Sequence, residues 1–312
     1  MDELGGVPTS PARRFARLSV FALAALGALA GIGVLYLQVA GGGLDDVRAY
    51  YDAGARLNAG QPLYPRYQDV NGPTAYFYPP LLAIAFRPLA LLPYQTAAAI
   101  WEGIVIASFV ATLWLLGIRR RETWLAVGVL GVPIAWTLAI GQAQSLVTLL
   151  LAIGSPLGIA LAANLKLVPL LAGAWYVGRR DWRRLTRLIA WVAVLVVIQL
   201  VMEPRATLAF LGALQPRWVG EVRNLSPFVV SPLLWAALVV AGVLLALRLA
   251  PTRWGWAAAV ALSVLAPPRL LLYMLMTLLA GLRQPAGARR GGTNGGTDHP
   301  VGVMRVEGGP TP

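Results

Sequence analysis

The chain has 312 residues, of which 58% are hydrophobic and 12% charged, with a mean hydropathy of +0.66 and a formal charge of +13. Soluble domains run nearer half apolar and a quarter charged, so composition excludes an ordinary soluble protein. There is no Cys and a single His, His299, which excludes disulfides and thiolate metal sites and leaves no basis for His-ligated metals or a His-based triad.

Arg13, Arg14 and Arg17 precede an apolar run over 18–40. At about 23 residues it exceeds the ~7–15 of a signal-peptide core, so it reads as an uncleaved first span. Further Arg-rich segments fall at 119–121, 179–187, 248–253 and 283–290, between or after apolar runs. Basic residues in short loops face the cytoplasm, so the charge excess is explained by topology and no nucleic-acid partner is expected. On that rule both termini are cytoplasmic, and 41–93 is a long first outer loop. Spans follow at about 94–118 and 123–140, the latter ending in GQAQS at 141–145.

The stretch 144–178 is apolar but broken by Gly154-Ser155-Pro156, Lys166 and Pro169. Parity requires an odd number of crossings there, met by one long span or three short discontinuous helices, which are tolerated where they line a cavity. Residues 186–203 go out, 204–230 form an outer loop, and 231–249, 254–266 and 270–282 complete the pattern. The expected fold is all-α, a polytopic transmembrane bundle of eight to ten membrane segments. Residues 1–283 form the integral-membrane domain, and 284–312, rich in Gly, Pro and Thr, a disordered cytoplasmic tail.

The outer loop is far longer than a joining loop needs and carries Tyr50, Tyr51, Tyr64, Tyr67, Tyr76, Phe77 and Tyr78. Residues 45–58 have helical periodicity. Asp45, Arg48, Asp52 and Arg56 make a ladder of alternating charge on one face. Asp46 stands apart from it, because its helical neighbours are Ala49, Tyr50, Ala53 and Leu57. An acid on an apolar, aromatic face suits either a helix-terminal dipole role or chemistry. Residues 80–92, interrupted by Arg87-Pro88, are too short to span and read as interfacial or re-entrant. Arg66 and Arg87 could bind phosphate, lipid head groups or, for either, Asp69. Lys166, the only Lys, lies in an apolar segment, which makes it a functional candidate or a residue that snorkels to the interface.

The order DVRAYYDAG, NAGQPLY, YFYPPLLAI, RPLALLP, AIWEG, IGQAQSLVTLLL and LAANLKLVPLLAGAWYVGRRDWR resembles glycosyltransferase family 87. These are integral-membrane glycosyltransferases of the GT-C class, including polyprenol-phosphate-mannose-dependent mannosyltransferases. The resemblance implies a GT-C-like fold and transfer of a hexose, mannose first, from a polyprenyl-phosphate donor to a lipid or glycan acceptor on the outer face of the plasma membrane. It implies an acid as base in the first outer loop, and its pattern of Asp, three residues, Tyr-Tyr lands on Asp46, Tyr50 and Tyr51. Lys166, Arg223 and Arg269 are the candidate cations for the lipid phosphate. Gln142, Tyr64 and Tyr78 are candidate sugar contacts. No cofactor and no metal are expected, since there is no DxD-type site. Two other readings compete. A non-catalytic scaffold or pseudoenzyme is kept open by a C-terminal half shorter than the resemblance leads one to expect. A lipid or sugar transporter would need a repeat and charges lining a path, and only Lys166 and Glu102 lie in spans.

Overall fold

The computed structural model describes residues 11–65, 75–213 and 224–285, and among these every regular element is helical. In chain order they are α1 (Pro11–Ala40), α2 (Asp45–Asn58), α3 (Pro80–Phe86), α4 (Tyr94–Leu116), α5 (Arg121–Val129), α6 (Gly131–Ala139), α7 (Gln144–Ile153), α8 (Pro156–Leu165), α9 (Ala174–Gly178), α10 (Trp182–Met202), α11 (Pro204–Ala213), α12 (Pro232–Leu249) and α13 (Gly255–Leu265). Short 3-10 helices lie at Leu89–Leu91, Val168–Gly173 and Pro227–Val229, and a longer one at Leu272–Leu282. The expected tail, apart from Gln284 and Pro285, lies outside the described residues, as do Arg66, Asp69, Arg223 and His299.

Four helices are long and apolar enough to cross a bilayer: Phe15–Ala40, Tyr94–Leu116, Trp182–Met202 and Pro232–Leu249. Their outward faces carry exposed Leu, Ile, Val and Trp, among them Leu26, Trp114, Val197 and Leu244, as a lipid-facing surface does. The protein is therefore a polytopic membrane protein. The remaining apolar helices are 10–17-residue class elements, such as Gln144–Ile153 and Pro156–Leu165, too short alone for a ~30 Å core.

The third expected crossing, 123–140, is corrected in shape. It is α5 and α6 bent by 71°. Pro133 has no N–H to offer the carbonyl at Val129, and Gly131 adds little helix propensity, so the break has a local cause. The bend is filled by α1. Gly27 and Gly31, one helical turn apart, meet Gly128 and Gly131 backbone to backbone. A Cβ added at Gly31 would sit 2.6 Å from the Gly131 carbonyl oxygen. Small residues four apart are how membrane helices bring their backbones together.

Of the two alternatives for 144–178, the structure takes three short elements. α7 runs away from Gln142, α8 returns, and Val168–Gly178 runs away again. The ends are fixed by contacts. Arg283 Nη1 donates to the Ala152 carbonyl at 2.9 Å, and Arg179 Nη1 to the Ala250 carbonyl at 3.4 Å. The basic segments around 179, 250 and 283 thus gather at one end of the bundle. At the other end the Leu44 N–H donates to the Ala139 carbonyl at 3.0 Å, setting α2 on the end of α6. A large core joins α2, α3, α4, α7, α8, α10 and α13 through Tyr50, Phe86, Trp101, Leu151, Ile159, Leu188 and Val260.

Candidate active site

α2 spans the 45–58 expected from periodicity. Val47, Ala49, Tyr50, Ala53 and Leu57 are buried, and Asp45 and Arg48 are exposed. The charge ladder is shorter than expected. Arg48 pairs with Asp52 at 3.1 Å, while Arg56 Nε donates to the Asp52 main-chain oxygen at 3.2 Å. Among the described residues no ion pair reaches Asp45, which is an exposed, solvated acid. Asp45 and Asp46 both lie in the first turn of α2, where a negative charge meets the helix dipole favourably, and no side chain caps the helix.

Asp46 is part-buried and bonded across the fold. Gln142 Nε2 donates to Asp46 Oδ2 at 3.0 Å. The same amide's Oε1 accepts from the Tyr50 hydroxyl at 2.5 Å, and the Tyr78 hydroxyl lies 3.1 Å from its Nε2. The Ala143 N–H donates to the Tyr50 oxygen at 3.3 Å, so Tyr50 has its proton left for Gln142. An ionised carboxylate only accepts, which fixes which end of the amide faces Asp46. The turn aiming Gln142 requires a glycine. Gly141 has φ +65°, and Val47 packs where its Cβ would be.

Lys166 forms the opposing half. It follows α8, where Leu167 and Pro169 end the helix and return the chain. Its Nζ donates to Gln144 Oε1 at 2.6 Å and lies 4.6 Å from the Tyr273 ring centroid and 5.3 Å from that of Tyr78. Gln144 Nε2 donates to Thr277 Oγ1 at 2.6 Å. Thr148 Oγ1 spends its proton on the Gln144 carbonyl, so Thr277 donates to Thr148 across 2.8 Å. The chain of donors is therefore polarised toward holding Gln144 Oε1 on the ammonium.

Burial pushes Asp46 up from the ordinary carboxylate range to about 6. Lys166 and Arg269 pull it down, and Asp45 adds to the rise. Arg269 thus lies within electrostatic reach of Asp46, on the turn between α13 and Leu272–Leu282. Asn224 holds that turn. Its Nδ2 donates to the Pro268 carbonyl, and its Oδ1 accepts from the Ser226 and Leu270 N–H groups, each at 2.9 Å.

The structure brings together Asp46, Tyr50, Tyr78, Gln142, Lys166 and Arg269 among the expected site residues. Tyr64 stands one layer back, its hydroxyl donating to the Tyr78 carbonyl at 2.7 Å. Tyr51 points elsewhere, donating to the Leu92 carbonyl at 2.8 Å and packing edge-on against Tyr94. Arg223 lies outside the described residues. Arg87 is no open phosphate ligand. It bonds Glu203 Oε1 at 2.6 Å and Asn58 Oδ1 at 3.0 Å, clamping α2, α3 and the end of α10. Sequence reasoning missed Gln144, Asn224, Tyr273 and Thr277. The signal for Gln144 was present in GQAQS; nothing local marked the others.

Among the described residues there is no cluster of three His, Cys, Asp or Glu fit to hold a metal.

The family model for glycosyltransferase family 87 matches residues 76–285, roughly two thirds of the chain, so Asp46 precedes the matched part. Two curated relatives are polyprenol-phosphate-mannose-dependent α-(1-2)-phosphatidylinositol pentamannoside mannosyltransferases. One, from Mycolicibacterium smegmatis, is 31% identical over 173 residues, covering 49% of this chain and 42% of that protein. The other, from Mycobacterium tuberculosis, is 26% identical over 245 residues, covering 72% and 56%. The chain spans about half the length of the curated relatives it matches. No solved structure matches.

Proposed function

Because the chain belongs to glycosyltransferase family 87, we propose that it moves a mannosyl group from a polyprenyl-phosphate donor to a hydroxyl of a lipid or glycan acceptor. The two relatives named for a polyprenol-phosphate-mannose donor and a phosphatidylinositol mannoside acceptor support that choice. The observation that carries the reading is the facing pair: Asp46 held by Gln142 Nε2 at 3.0 Å, and Lys166 held by Gln144 Oε1 at 2.6 Å. Each charged group is oriented by a glutamine that is itself fixed.

In this reading Asp46 takes the proton of the acceptor hydroxyl as its oxygen attacks the anomeric carbon. The bond from that carbon to the phosphate oxygen breaks, and its electron pair leaves with the polyprenyl phosphate. Lys166 and Arg269 neutralise the charge that grows there, with Arg223 as a further candidate. Tyr50 and Gln142 hold the base, Tyr78 walls the site between the two charges, Tyr64 backs Tyr78 through its carbonyl, and Tyr51, bonded to the Leu92 carbonyl, takes no direct part. The site lies at the bundle end opposite the arginine-rich loops. With those loops cytoplasmic, it opens on the outer face of the plasma membrane. Residues 1–283 act as one integral-membrane domain, with 284–312 as a cytoplasmic tail.

The test is the purified chain in liposomes, supplied with polyprenyl-phosphate mannose, other polyprenyl-phosphate sugars and nucleotide sugars. Mannosylated lipid from the first donor alone is the expected result. Transfer from a nucleotide sugar alone removes the reading. A scaffold role predicts no product from any donor.

A further inference from the structure

A polar cavity lies at the far end of the bundle from Asp46. It has a volume of about 180 Å³ and sits between the end of α9, the turn joining α12 to α13, and Gln284. That is many times the space one water needs. Its floor is the buried pair Trp175 and Trp256, stacked edge to face with centroids 5.3 Å apart. Its polar lining is Arg179, Arg253, Thr252 and Gln284, and among the described residues no Asp or Glu lines it. The nearby acid, Asp181, is engaged elsewhere, accepting from the Arg184 N–H at 3.1 Å and pairing with the Arg184 side chain at 3.5 Å.

The lining is held in place before any ligand arrives. Arg179 stacks over the Trp175 ring at 5.2 Å and donates to the Ala250 carbonyl. Arg253 stacks over Trp254 at 5.0 Å, and its own carbonyl accepts from Gln284 Nε2 at 2.7 Å. The level in the bilayer is marked as well. Trp182 and Trp254 are exposed at this end of the bundle, at the starts of α10 and α13, and beyond Arg187 the exposed face of α10 is apolar. Exposed Trp at a helix end marks the membrane–water boundary. Two guanidinium groups, no carboxylate among the described lining residues, and an aromatic floor at that depth match a phosphodiester whose acyl chains lie in the membrane.

We propose that this cavity is a binding site for the head group of an anionic phospholipid, separate from the transfer site. The shape fits a lipid better than a free ion, because the floor is aromatic and the opening lies beside lipid-facing helices. The site anchors the arginine-rich end of the bundle and does not depend on what the Asp46 end does.

The test uses the full chain in a neutral detergent, titrated with a water-soluble short-chain phosphatidylglycerol and followed by calorimetry. Saturable one-to-one binding is expected. Arg253→Ala, at an exposed position that leaves the fold intact, weakens it roughly fivefold, and Arg179→Ala with Arg253→Ala more than tenfold. Arg183→Ala, an exposed arginine at the same end but outside the cavity, leaves it unchanged. Short-chain phosphatidylcholine and inorganic phosphate do not compete at equal concentration. Equal loss in Arg183→Ala would show diffuse attraction to the basic end and overturn the site. Competition by inorganic phosphate at equal concentration would replace the lipid by a free anion. Absence of saturable binding would remove the site. Melting midpoints of the variants separate lost binding from lost fold.

Discussion

Replacing Asp46 by Asn tests the base with little structural disturbance. The amide keeps an oxygen where Oδ2 accepts from Gln142 at 3.0 Å, so the hub joining Asp46, Tyr50 and Tyr78 can persist. What is lost is the ability to hold a proton. General-base catalysis contributes on the order of 10²–10⁴ in rate, so turnover falls by that factor, about 3–5 kcal/mol of barrier. Stability moves the other way or not at all. Burial is the largest influence on Asp46 and acts against its charged form, so the neutral amide is no worse tolerated at pH 7. Asp45→Asn is the matched control, an exposed neighbour on the same turn, and keeps turnover within about twofold, as surface changes usually do. The assay is initial rate of mannosylated lipid formation in liposomes, with the melting midpoint of each variant recorded. Asp46→Asn retaining more than a tenth of wild-type turnover refutes the assignment, as does an equal loss in Asp45→Asn.

The acid limb of the rate profile should lie near pH 6 instead of the usual carboxylate range near 4, because protonated Asp46 cannot act as base. The same raised value makes Asp46 stabilising below about pH 4, a contribution lost as pH rises through about 6, which pH-dependent melts of wild type against Asp46→Asn will read. Lys166→Met removes a cation that lowers the Asp46 pKa, so its residual activity should show that limb displaced to higher pH, with turnover down roughly 10²-fold. Asn224→Ala frees the turn bearing Arg269 and should raise the donor KM and move the acid limb upward by less than Lys166→Met does, Arg269 being the smaller influence; stability should drop by about 1–3 kcal/mol. Gly31→Leu forces α1 off Gly131 and should lower the melting midpoint or the folded yield without changing KM in the surviving protein.

How much of this was legible in the sequence differs by element. α2 was readable to the residue, because a strong amphipathic pattern ends in Asn58-Ala59-Gly60 and has no competing period. The separation of Asp46 from Asp45 was readable for the same reason, since helical geometry sends adjacent side chains to different faces. The apolar stretch over 123–140 was legible but its 71° bend was not, although Gly131 and Pro133 both lie there, because hydropathy integrates over a window and is blind to direction. Thr277 and Tyr273 could not be found from one sequence. Each is a single polar or aromatic residue in an apolar run, and its meaning comes from α7 meeting Leu272–Leu282, more than 120 residues later in the chain.

The broken helices have a geometric consequence for the chemistry. Trp101, seven residues into α4, donates its indole N–H to the Gly141 carbonyl at 2.7 Å. At 1.5 Å per residue, Gly141 and the Gln142 hub lie about 10 Å along the bundle from the start of α4. α7 and α8, at 10 residues each, then span only about 15 Å to the arginine-rich end. Had these segments been full spans, their polar turns would stand at the bilayer surface. Being half-length, they carry Gln142, Gln144 and Lys166 below it, into a region walled by Tyr50, Tyr78 and Tyr273. A carboxylate and an ammonium held there strengthen each other more than they would in water, and each needs the fixed glutamine beside it because solvent cannot replace it. A donor whose phosphate rides on a membrane-embedded polyprenyl chain can deliver its sugar to that depth without leaving the lipid. Short helices and a recessed facing pair are therefore the arrangement that the proposed lipid-linked donor requires.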